Sequence, residues 1–108
     1  MHKLPLTVPT ALLGAAALLR KHGWVTGQME APDGRMCLVG AIQRFVVESE
    51  LTDPVIADNL VTDAINALTR SLWELPSGGA HPHATAWNDR HCASVDDAIA
   101  ILERAACQ

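Results

Sequence analysis

The 108 residues suit one domain of ordinary size, and no shift in composition divides them into two cores. Hydrophobic residues make up 49 % and aromatics only 4 %, with no tyrosine, so the core has to come from Leu, Ile, Val and Ala, of which Ala and Leu favour helix. The net charge of -4, with Lys and Arg scattered, argues against general nucleic-acid binding, and no apolar run reaches the roughly 20 residues that a membrane span needs.

In chain order, the first predicted helix runs from about Val8 to His22. Leu12, Ala15, Ala16 and Leu19 recur on one face, Pro9 fits the first turn, and Gly23 supplies a left-handed stop. Its apolar run Ala11 to Leu19 resembles a signal peptide only loosely, because Pro5 and Pro9 interrupt the approach and Arg20-Lys21 follow at once. Trp24 to Gly27 and the turn signal Pro32-Asp33-Gly34 predict a short hairpin or an ordered loop.

From Cys37 to about Glu48, the positions Leu38, Ala41, Ile42, Phe45 and Val46 follow the i, i+3, i+4 spacing of an amphipathic helix. Val39 and Val47 widen its apolar face, which places this helix in the centre of the fold. Asp53 as N-cap and Pro54 in the first turn open a third helix, with Ile56, Leu60, Ala64, Ile65, Leu68 and Leu72 as its stripe and Pro76 to Gly79 as its end. Ser94 and Asp97 resemble a capping box for a last helix, whose buried face is Val95, Ala98, Ile99, Leu102 and Ala105. The connection Ala80 to Cys92 is aperiodic, and within it Thr85 to Trp87 reads as a short extended piece able to pair with the segment after Trp24.

Cys37, Cys92 and Cys107 are odd in number and lack CxxC spacing, which points to free thiols in a reducing compartment, the cytoplasm. Cys37 stands at a helix start, where N–H groups and the dipole stabilise a thiolate. With His81, His83 or His91 as base and Asn88 or Asp89 as orienting group, it has the parts of a cysteine nucleophile; a buried structural thiol accounts for it equally. His81, His83, His91 and Cys92, with Asp89, offer zinc ligands, yet adjacent His91 and Cys92 chelate one ion awkwardly, and no metal or cofactor is assigned. Trp87-Asn88-Asp89 reads either as a ligand seat or as a locked turn anchored by the indole, and Trp24 serves likewise on the other loop. Two tryptophan-bearing loops at one end of the helices make a recognition surface. No carboxylate pair suits acid/base catalysis, and no phosphate-binding motif occurs.

Gly23-Trp24, Cys37-Leu38-Val39-Gly40-Ala41 and Trp87-Asn88-Asp89 together resemble the motifs of an uncharacterised family of small bacterial and phage-encoded proteins. The resemblance spans most of the chain and implies no activity. It adds Gly40 to Trp24, Cys37, Asn88 and Asp89 as positions of interest.

The reading is a mainly α, compact four-helix domain over 1–108 with two ordered loops, one that allows a short two-stranded β element. Functionally it points to a small cytoplasmic binding or regulatory protein acting on a protein partner, with neither nucleic acid nor membrane as partner and a homo-oligomer left open. The alternatives are a cysteine-dependent hydrolase or acyl transferase using Cys37, and a zinc-binding structural protein.

Overall fold

The computed structural model describes residues 6–49, 53–76 and 82–107. Helix α1 (Val8–His22) starts where the Thr7 hydroxyl accepts the Thr10 N–H at 3.3 Å, and it stops at Gly23, whose φ of 94° is open to glycine at no steric cost. Arg20, Lys21 and His22 in its last turn complement the helix dipole. α2 (Leu38–Glu48) is capped by Cys37, and α3 (Pro54–Trp73) by Asp53, whose carboxylate accepts the Val55 N–H at 2.9 Å. α4 (Ala84–Arg90) is a short helix, and α5 (Val95–Ala106) opens with the Asp97 N–H on the Ser94 hydroxyl at 3.2 Å.

α1 is the hub. It packs on α2, α3 and α5, while α4 lies against α2 and α3. The reason is its two-sided apolar face: Ala11, Leu12, Ala15, Ala16 and Leu19 are all buried, and the alanines let neighbouring helices come close. Leu12, Leu19, Leu38, Ile42, Leu68, Leu72 and Leu102 fill the shared interior. Each such side chain contributes about 1.5–3 kcal/mol through burial.

Among the described residues five helices stand where four were expected. The difference is Thr85 to Trp87, expected to be extended and found inside α4. Ala84 and Asn88 occupy i and i+4 on one buried face of that helix, so tertiary contact holds seven residues that would not stay helical in isolation. The expected β element is absent among the described residues, where only two isolated bridges occur, Trp24 to Met36 and Glu30 to Met36. Segment 24–36 is instead an ordered loop drawn around one residue.

Two apolar positions also differ from expectation. Val47 is 77 % exposed and Ile56 55 % exposed. Ile56 belongs to the first turn of α3, where residues 53–56 are all exposed, and Val47 to the last turn of α2.

Candidate functional site

The loop after α1 closes on Met36. The Val25 N–H donates to the Met36 carbonyl at 3.1 Å, and the Met36 N–H donates to the Gly23 carbonyl at 3.1 Å. From the other side, the Cys37 N–H donates to the Met29 carbonyl at 3.0 Å and the Ala31 N–H to the Arg35 carbonyl at 2.7 Å. Pro32 and Asp33 turn the chain between them, with the Gly34 N–H on the Ala31 carbonyl at 3.0 Å. Met29 then lies over the start of α2, and a Cβ on Gly40 would stand 2.1 Å from the Met29 oxygen. Only glycine fits there.

Asn88 joins this loop to α2 and α4. Its Oδ1 accepts the Trp24 indole N–H at 2.7 Å and the Leu38 N–H at 3.0 Å; its Nδ2 donates to the Val25 carbonyl at 3.1 Å and to Asp89 Oδ1 at 2.9 Å. An amide side chain has two acceptor sites and two donor hydrogens, and all four are used. Leu38 is the first residue of α2, so Asn88 also satisfies one of the N–H groups that the helix itself leaves unpaired. The side chain is fully buried. Asp89 extends the same connection outward by accepting the Gly27 N–H at 2.9 Å. That N–H, followed by the Asn88 amide, holds the Asp89 carboxyl below the ordinary carboxylate range.

Trp24, Asn88 and Asp89, each singled out in the sequence as a binding residue, are therefore brought together, and their polar groups bond one another and the loop backbone. Cys37 is nearby and 2 % exposed. Its Sγ accepts the Gly40 N–H at 3.3 Å, yet burial outweighs that bond and pushes the thiol upward, away from the thiolate. His83 and His91 lie at the two ends of α4 with exposed side chains. Neither is bonded to the Cys37 sulfur, whose hydrogen bond is with the Gly40 N–H. His81 lies outside the described residues. Cys92 donates its S–H to the Ser94 carbonyl at 3.3 Å, and burial pushes it up to about 11. Among the described residues, no group of three or more His, Cys, Asp or Glu side chains converges as metal ligands would.

Trp87 faces a different way from its neighbours. It packs half-buried against the core and lines a groove of about 420 Å³ with Leu75 at the end of α3 and Asp97, Ala100, Ile101 and Arg104 of α5. Ile101 is the floor at 4 % exposure, Ala100 leaves the rim low, and opposite charges stand at the two ends of the α5 stripe. A second cleft, also of about 420 Å³, runs past Val8, Pro9, Asp63, Asn66, Ala67, Arg70 and Ala105. It has no aromatic side chain and a more polar lining. An aromatic side chain beside an apolar floor, with charge at the rim, makes the Trp87 groove the candidate site.

Sequence reasoning singled out Trp87 but missed its partners on α5. The missed signal is Ile101, which lies off the inner stripe of Val95, Ala98, Ile99 and Leu102 and, with Asp97, Ala100 and Arg104, makes a second stripe at i, i+3, i+4 and i+7.

A family model described as a family of unknown function, DUF6197, matches residues 3–108. Neither a curated protein nor a solved structure shows a significant match to the chain.

Proposed function

The chain belongs to the DUF6197 family, and we propose that it is a small binding protein that takes an apolar segment of a protein partner into the Trp87 groove. One observation carries this reading: Trp87 is half-buried in an apolar, charge-rimmed groove, while the adjacent Asn88 is locked at all four of its bonding positions. The lock fixes α4, so the indole is held before any partner arrives and little side-chain freedom is lost on binding. The free thiols of Cys37, Cys92 and Cys107 suit a cytoplasmic setting, and the motif resemblance suits a bacterial or phage one. Hydrolase or acyl-transferase chemistry through Cys37 has less support, since burial keeps that sulfur protonated.

The test replaces Ala100, an exposed helical position, by arginine, which fills the rim without entering the core. Wild-type and Ala100→Arg chains are immobilised and the retained proteins compared by quantitative mass spectrometry. The reading predicts a protein held by the wild type and lost by the variant, with both chains giving the same far-ultraviolet circular dichroism. Equal retention by both would place the docking surface elsewhere.

A further inference from the structure

Resting on the groove as docking surface, we infer that its occupant is the α5 helix of a second copy of this chain. The α5 residues that line the groove read Asp97, Ala100, Ile101 and Arg104. Two antiparallel copies of this helix, related by a two-fold axis passing between Ala100 and Ile101, set each Asp97 against the Arg104 of the other copy and each Ala100 against the other Ile101. The stripe is thus complementary to itself in charge and in size. A two-fold interface requires one patch to match its own image, and few stripes do so.

Three further features agree with this pairing. Asp97 and Arg104 are separated by about two helical turns, roughly 10 Å, too far to satisfy each other along one helix. Neither forms an ion pair within the described residues. Ala100 at the centre allows two helix axes to approach to about 8–10 Å, which seats the incoming helix between α5 and the wall formed by Leu75 and Trp87. Each α5 then occupies the groove of the other chain.

The experiment is sedimentation equilibrium on wild type, Asp97→Arg, Arg104→Asp and the double variant, each with its melting curve recorded by circular dichroism. The wild type is expected at a mass near twice 11.6 kDa. Either single swap sets like charges opposite one another at two places and weakens the dimer about tenfold or more; the double swap restores opposite charges and recovers most of the affinity. Ala100→Arg, which leaves both charges in place, also yields a monomer and serves where a swapped chain melts early. A wild type that stays monomeric at about 100 µM, or a double swap no better than the singles, overturns the second copy as occupant. In that event, loss of a captured protein by Ala100→Arg would still uphold the groove as a site for a different protein. Loss of neither dimer nor captured protein would remove both readings.

Discussion

Cys37, Cys92 and Cys107 are chemically identical and differ only in where the fold leaves them. Cys107 is exposed, whereas the other two are buried and shifted away from the thiolate. Iodoacetamide at neutral pH is therefore expected to add one label to the native chain, at Cys107, and three after denaturation. Rapid native labelling of Cys37 would favour the nucleophile reading over the buried structural thiol. Asp89 responds to pH in the opposite sense from a buried thiol. Its folded value lies below the unfolded value of about 3.9, so its stabilising share is present above that pH and is lost as pH falls through the folded value. Asp89→Asn should melt below wild type at pH 7, and the gap should narrow as the pH is taken down to 3. A gap that stays constant with pH would mean that the carboxylate charge contributes nothing.

At the scale of elements, two helical glycines separate a tolerant contact from an intolerant one. A Cβ on Gly14 would stand 2.2 Å from Phe45 Cε1, the outer part of a half-buried ring, whereas on Gly40 it would meet the Met29 carbonyl. A ring edge can turn aside; a loop backbone held by the Cys37 N–H cannot. Gly14→Ala should lower stability by about 1 kcal/mol or less, helped by the better helix propensity of alanine, and Gly40→Ala by about 3 kcal/mol, both read from urea unfolding. Equal costs would contradict the packing of the loop on α2. Three long elements were legible because their starts carry a chemical signature, Pro9, Asp53 with Pro54, and Ser94, and α2 because its apolar positions keep helical spacing. α4 was not, because it is short and carries no side-chain cap, and what keeps it helical is Asn88 reaching residues more than 49 positions away in sequence. No local pattern encodes such a partner.

For the molecule as a whole, the same amide separates a bonded cluster inside the fold from the groove on its surface. The sequence showed Trp24, Asn88 and Asp89 as a group worth naming, and the structure brings them together, but their polar groups face one another rather than an outside ligand. The Trp87 groove is on the other side of α4, and reading it in advance would have required knowing that Trp87 lines one groove with the outer stripe of α5. The groove depends on folding through one residue: Asn88 ties α4 to the loop and to α2, and α4 carries the Trp87 wall of the groove.

Thermal unfolding of Asn88→Ala tests that dependence most directly. The substitution leaves the Trp24 indole N–H, the Leu38 N–H and the Val25 carbonyl without their partner in a buried site, a loss of about 3 kcal/mol or more, and the midpoint should fall by about 10 °C or more. A midpoint within about 2 °C of wild type would show that α4 is held by something other than Asn88 and would contradict the account.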